Sequence, residues 1–123
     1  MAKVLVVDDD LDSREVLHLL IERGGHEVEV AVDGREAMEK MKNGLRPHII
    51  LLDIAMGQHS AFAFRDQQLQ HPELAAIPVI VQSGLYNVAG AAAELGAAAY
   101  FEKPFDPSRV LDAIRICTAS SQR

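Results

Sequence analysis

Residues 3–9 read KVLVVDD, a stretch in which four apolar residues are followed at once by two acids. A strand that is apolar at successive positions is typical of a parallel sheet with both faces covered. Similar runs follow at 49–52, 79–81 and 98–101, and they precede the polar residues Asp53, Ser83 and Lys103. Because the carboxyl ends of parallel strands line one crevice, we expect these polar groups to lie close together.

Amphipathic stretches separate the strand-like runs along the whole chain. This alternation predicts βαβ units in one α/β domain with five strands and five helices. Residues 27–32 alternate polar and apolar side chains, which indicates an edge strand wetted on one side. We expect a single domain over residues 1–123, with a core from about residue 3 to 117.

The predicted helices carry recognisable start signals. Asp12 with Glu15, and Asp33 with Glu36, have the three-residue spacing of a capping box. Pro107 suits the first position of the last helix. In the first helix, helical spacing predicts that the residues facing the sheet include Val16, Leu19 and Leu20.

The bulk composition argues against several classes of protein. The net charge is −6 and Lys and Arg are not clustered, so direct nucleic-acid binding is not expected. A single cysteine, Cys117, excludes an internal disulfide. Neither a signal segment nor an apolar run long enough to span a bilayer is visible, and we therefore expect a cytoplasmic protein with no membrane contact.

The acids at the strand ends point to a divalent cation. Two carboxylates about 5 Å apart repel each other by roughly 3 kcal/mol at an effective dielectric of about 20, so a cluster needs compensation. Magnesium fits best, because it takes one or two carboxylates and leaves places for water and phosphate oxygens. The acids between residues 8 and 12 could equally form a solvated loop with a helix cap, and we interpret Asp10 and Asp12 in that way.

The ordered set of motifs resembles the receiver domain of two-component response regulators. The similarity covers residues 4 to about 116 and rests on VVDD at 6–9, LD at 52–53, Pro78 five residues before Ser83, GA at 96–97 before Tyr100, and KPF at 103–105. The resemblance implies a flavodoxin-like, doubly wound, five-stranded parallel sheet with strand order 2-1-3-4-5.

The resemblance also implies the chemistry of the site. Asp53 would accept a phosphoryl group from a histidine kinase or phosphotransfer protein, with Mg²⁺ shielding the charge. Such a domain catalyses only its own phosphorylation and dephosphorylation. The metal ligands implied are the side chains of Asp8, Asp9 and Asp53 and the backbone carbonyl of Ala55.

Three further residues have implied roles around the phosphoryl group. Lys103 would pair with Asp53 before reaction and with a phosphoryl oxygen during it, and the Ser83 hydroxyl would donate to another oxygen. Movement of Ser83 toward the phosphate, with an inward turn of Tyr100 behind it, would form the conformational switch.

The chain departs from the family pattern after Asp53, where Met56-Gly57 and then Ser60-Ala61 replace the usual Met-Pro and Asp-Gly. The lost proline should alter the loop that leads into the third helix. The positions two residues after Asp53 and Ser83 are Ala55 and Leu85. Neither side chain can polarise an attacking water, which predicts slow self-hydrolysis of the acyl phosphate.

Residues 85–99 are nearly all small or apolar, with Glu94 the only charge. Alanine is the best helix former and is tolerated on surfaces, so this composition needs no partner. It is equally compatible with a contact face formed by the fourth predicted helix, the fifth strand and the last helix, for a second copy or an output partner.

Two other functions remain open at this point. Asp8 and Asp10 have the spacing of the acids in haloacid-dehalogenase-type phosphatases, in which an aspartate after the first strand is the nucleophile. The chain could also be a receiver-like interaction module that no longer takes phosphate.

Overall fold

The computed structural model describes residues 2–54, 58–84, 88–102 and 106–121, with the side chains of 58–60, 120 and 121 excepted. Five strands form one parallel sheet: β1 (Lys3–Val7), β2 (Glu27–Ala31), β3 (Ile49–Asp53), β4 (Val79–Ser83) and β5 (Ala99–Glu102). Their order is β2-β1-β3-β4-β5. The predicted fold class and strand order are therefore confirmed, and the alternating segment does form an edge.

The described residues form six helices rather than the five that the sequence predicts. They are α1 (Leu11–Arg23), α2 (Gly34–Lys42), α3 (Gln58–Leu69), α4 (Pro72–Ala75), α5 (Val88–Leu95) and α6 (Pro107–Ser121). The additional one is α4, a single turn that begins at Pro72 and whose Leu74 and Ala75 amides donate to the His71 carbonyl. One turn is too short to show a helical period, so the sequence pattern does not reveal it.

The core has two layers, one on each face of the sheet. Alternation along the strands sends Val4, Val6, Ile49, Leu51 and Ile80 toward α1 and α6, where they join Leu17, Ile21, Val110 and Ile114. The intervening residues, which include Leu5, Val7, Ile50, Leu52 and Val81, pack with α2, α3 and α5 on the other face. Continued alternation assigns the strand-end residues Asp8, Asp53 and Gln82 to the α1/α6 face.

Helix α1 differs from its prediction in two respects. Its N-cap is Asp10, whose side chain accepts a hydrogen bond from the Ser13 amide at 3.0 Å, so the expectation for Asp12 as the cap is wrong. Both residues are nevertheless exposed at the start of α1, which agrees with their interpretation as a solvated loop with a helix cap. Asp12 lies in the first turn, where a negative charge suits the helix dipole.

The buried side of α1 is also shifted. Leu17 and Ile21 are fully buried and Leu20 is partly buried, whereas Val16 and Leu19 are 62% and 51% exposed. The prediction is therefore wrong for Val16 and Leu19. Apolar residues occur on more than one side of this helix, so periodicity alone does not select the side that meets the sheet.

Helix α2 begins as predicted. Asp33 accepts a hydrogen bond from the Glu36 amide at 2.8 Å, and Glu36 Oε1 accepts one from the Val32 amide at 2.8 Å. These reciprocal bonds satisfy amides at the start of the helix. The helix ends at Lys42 with Asn43 as its C-cap, and Gly44 follows at a φ of 114°, a conformation that favours glycine.

Candidate functional site

Asp8 is held rigidly at the carboxyl end of β1. Its amide donates to the Ala31 carbonyl at 3.1 Å, its own carbonyl accepts from Arg14 Nη1 at 2.9 Å, and its Oδ1 accepts from the Asp10 amide at 2.9 Å. The residue is fully buried, whereas the adjacent Asp9 is exposed. The turn after β1 thus presents one fixed, dry carboxylate and one solvated carboxylate.

Asp53, at the end of β3, completes a cluster of acids. Among the described residues, Asp8, Asp9 and Asp53 each offer a carboxylate oxygen, and these three atoms lie within 4.8 Å of one another. Asp53 is 1% exposed, so both Asp53 and Asp8 are removed from water. At that spacing each pair of charges repels by roughly 3 kcal/mol at an effective dielectric of about 20, which a divalent cation would offset.

The donor set fits magnesium. All three ligands are carboxylate oxygens, the type that hard cations prefer, and one lies at the solvent-exposed edge where a metal can retain water. Within the described residues, the ligands of this cluster are all carboxylates and none is the His or Cys that zinc prefers. The structure therefore brings together the three side chains that the sequence predicts as metal ligands.

Ser83 and Tyr100 occupy different environments. Ser83 ends β4, is 1% exposed, and lies one residue beyond Gln82, the register partner of Asp53. Tyr100 lies on β5, pairs in register with Val81, and is 48% exposed. Lys103 and Ala55 are outside the described residues, as are Met56, Gly57 and Leu85.

Sequence reasoning missed two residues near the site. Arg14 in α1 donates a hydrogen bond to the Asp8 carbonyl, and no local sequence pattern predicts this contact. Gln82 is buried beside Asp53 on the neighbouring strand. The sequence signal that could have identified Gln82 is its position directly after the apolar run 79–81.

Comparison with known proteins agrees with this geometry. Residues 4–115 match the family model described as the response regulator receiver domain. Chemotaxis protein CheY from Thermotoga maritima is 35% identical over 113 residues, which cover 91% of this chain and 93% of that protein. This chain therefore belongs to the response regulator receiver family and is a receiver domain of two-component signalling.

A second relative shows a receiver joined to another activity. Protein-glutamate methylesterase/protein-glutamine glutaminase 1 from Anaeromyxobacter dehalogenans is 41% identical over 107 residues, which cover 83% of this chain and 29% of that protein. Among solved structures, Vibrio cholerae chemotaxis protein CheY4 has a TM-score of 0.84 and 28% identity, covering 95% of this chain and 98% of that chain. This chain spans about half the length, or less, of most of the curated relatives it matches.

The family assignment corrects one alternative and leaves another for experiment. A receiver is a signalling domain rather than a conventional enzyme, so a haloacid-dehalogenase-type phosphatase is no longer supported. Its proposed nucleophile, Asp8, already has one carboxylate oxygen bonded to the Asp10 amide.

Within the described residues, no helix is both long and apolar enough to cross a bilayer.

Proposed function

We propose that this receiver domain takes a phosphoryl group on Asp53, with Mg²⁺ held by Asp8, Asp9 and Asp53. The observation that carries the proposal is the convergence of three carboxylates within 4.8 Å around a buried aspartate at a strand end. Burial of Asp53 limits the water that could compete with its carboxylate for the incoming phosphoryl group. Asp53 belongs to the sheet itself, so the nucleophile is held on a rigid element.

In the proposed reaction a carboxylate oxygen of Asp53 attacks phosphorus and forms the acyl phosphate bond. The bond between phosphorus and the donor histidine nitrogen breaks, and its electron pair stays on the imidazole, which then takes up a proton. Bound Mg²⁺ would supply charge neutralisation for the phosphoryl oxygens. The Asp10 amide anchors Oδ1 of Asp8, which limits the reorganisation of this one carboxylate when a metal binds.

Other residues are proposed to recognise the added phosphoryl group. We assign its oxygens to the Lys103 ammonium and the Ser83 hydroxyl, and an additional metal ligand to the Ala55 carbonyl. The exposed ring of Tyr100 would turn inward once Ser83 moves. This movement would transmit phosphorylation to the surface formed by α5, β5 and α6.

The proposed donor is a histidine kinase or a phosphotransfer protein, and the proposed output surface is the α5-β5-α6 face. An open groove of about 830 Å³ lies on this face, between Ala89, Ala93 and Gly96 on one side and Arg109 and Ile116 on the other. Ile116 is 58% exposed and Tyr100 lines the same groove. Small side chains allow close approach of a second copy or of an output partner.

Magnesium-dependent binding of beryllofluoride, an acyl-phosphate mimic, tests the proposal. Titration calorimetry should show binding to the wild-type protein with Mg²⁺, and loss of binding with a chelator or in Asp53→Asn. Asp66→Asn, a change at an exposed acid on α3, should bind normally. A folded wild-type protein that fails to bind beryllofluoride would instead be a receiver-like module without phosphate chemistry.

A further inference from the structure

Gln82 occupies a position beside the proposed phosphoacceptor. It pairs in register with Asp53 on β3 and with Phe101 on β5. Ile80, two residues earlier on β4, faces α1 and α6, so alternation assigns Gln82 to the same sheet face as Asp53. Neighbouring strands lie about 4.8 Å apart, so in-register neighbours on one face of a sheet are within reach of a long side chain.

Among the described residues, the side-chain amide of Gln82 is buried without a hydrogen-bond partner. The residue is 1% exposed, and neither Nε2 nor Oε1 has a partner in the described structure. Burial of an unpaired amide opposes folding, because the group gives up water and receives nothing in return. If the side chain at this position only filled space in the core, an apolar side chain of similar length would make the fold more stable.

The other buried glutamine provides a contrast within the same molecule. Gln68 donates from Nε2 to the carbonyls of Leu74 and Ile77, and its Oε1 accepts from Arg65. Both polar atoms of the Gln68 side chain therefore have hydrogen-bond partners within the fold. Gln82 is as deeply buried, but within the part of the chain that the structure describes its side-chain amide has no hydrogen-bond partner.

We propose that Gln82 is a phosphoryl-binding residue whose amide nitrogen donates to an oxygen of the group carried by Asp53. This inference rests on the proposed function. Phosphorylation adds oxygens beside the strand end, and a buried donor already located there needs little reorganisation to meet them. A hydrogen bond to a charged acceptor in a dry site is among the stronger kinds.

The test compares Gln82→Met with the matched control Gln68→Met, using thermal unfolding and titration with beryllofluoride and Mg²⁺. Gln82→Met should unfold at the wild-type temperature or higher, and its beryllofluoride affinity should fall roughly ten- to a hundredfold. Gln68→Met should lose stability and keep its affinity at temperatures where it is folded. A folded Gln82→Met protein with wild-type affinity would overturn the inference and leave phosphorylation of Asp53 intact.

A measurement on Gln82 in the wild-type protein tests the inference even if the Gln82→Met protein does not fold. The side-chain amide resonances of Gln82 in the wild-type protein should shift when beryllofluoride and Mg²⁺ are added, and their exchange with water should slow. Resonances that do not change at saturation would overturn the inference. If the wild-type protein binds no beryllofluoride, the inference falls together with the proposed function.

Discussion

Arg65 and Gln68 form a hydrogen-bonded pair on α3, in which Nη1 of Arg65 donates to Oε1 of Gln68 at 2.8 Å. Gln68 also donates to two carbonyls around α4, and Nε of Arg65 donates to the Leu95 carbonyl at the end of α5 at 2.8 Å. The pair therefore joins three helices. Burial lowers the pKa of Arg65, yet a guanidinium remains protonated at any physiological pH.

Gln68→Leu should destabilise the domain, because the Leu74 and Ile77 carbonyls lose their donor and Arg65 loses an acceptor. We expect a loss of about 2 to 3 kcal/mol in the free energy of unfolding, measured by urea denaturation. Gln67→Leu, at the exposed neighbouring position, is the control and should change stability by less than about 0.5 kcal/mol. Equal effects of the two substitutions would contradict the assigned role of Gln68.

Removal of one acid from the cluster should weaken metal binding and relieve repulsion. Asp9→Asn should lower the Mg²⁺ affinity about tenfold or more by calorimetry, and should raise the unfolding temperature in the presence of a chelator. Asp12→Asn changes an exposed acid of α1 that is outside the cluster, and it should leave Mg²⁺ affinity unchanged. Identical affinities for Asp9→Asn and the wild-type protein would remove Asp9 from the ligand set.

The acyl phosphate should decay slowly, because neither Ala55 nor Leu85 can orient a hydrolytic water. Protein phosphorylated by a small phosphodonor, freed of the donor and kept with Mg²⁺, should remain modified for minutes or longer. The substitution Ala55→Asn should shorten this lifetime several-fold. A wild-type lifetime of seconds would contradict the prediction, as would an Ala55→Asn protein that decays no faster than the wild type.

Stability should decrease on mild acidification partly through His26. Burial lowers the pKa of His26, and its Nδ1 accepts a hydrogen bond from the Ala2 amide at 3.0 Å. The unfolded chain, with a pKa near 6.5, then takes up the proton first as the pH falls. The contribution is fully present above about pH 6.5 and is lost as the pH falls from there toward the lower folded-state pKa.

His26→Asn keeps an acceptor near the position of Nδ1 and does not titrate, so it isolates this effect. Between pH 7.5 and 5.5, chosen as about one unit on either side of the ordinary histidine pKa, the wild-type protein should lose more stability than the variant. The difference should be below about 1 kcal/mol, since His26 is only partly buried. Parallel pH profiles for the two proteins would exclude His26 as a contributor.

The α5-β5-α6 face should govern association in the activated state. If a second copy binds there, beryllofluoride with Mg²⁺ should shift the wild-type protein toward a dimer in sedimentation experiments, and Ile116→Asp should prevent the shift. Val16→Asp on α1 is a control of similar exposure and should still dimerise. Dimerisation that resists Ile116→Asp but not Val16→Asp would place the interface on α1.

The sequence predicted the strands of the sheet and the acid cluster because these depend on strong local signals, whereas the strand order was implied by the resemblance to receiver domains. Apolar runs that end in acids identify both the buried strands and the edge where their carboxyl ends meet. The capping pair Asp33 and Glu36 was predictable for the same reason, since both bonds are local.

Other features depend on tertiary packing and could not be predicted in this way. The buried side of α1 is selected by contact with the sheet, which favours Leu17 and Ile21 over the equally apolar Val16 and Leu19. The one-turn helix α4 receives a long-range contact from α3, because Gln68 donates to the Leu74 carbonyl within α4 and to the Ile77 carbonyl just after it. The isolation of the Gln82 amide becomes visible only when its neighbours across two strands are known.

Mapping of the phosphorylated residue is the most direct measurement of the proposed chemistry. The protein is incubated with a small phosphodonor and Mg²⁺, and the modified position is identified by mass spectrometry of its peptides. Modification should occur at Asp53, require Mg²⁺, and disappear in Asp53→Asn. A folded protein that is modified at Asp8, or that stays unmodified at Asp53, would contradict the role assigned to this cluster.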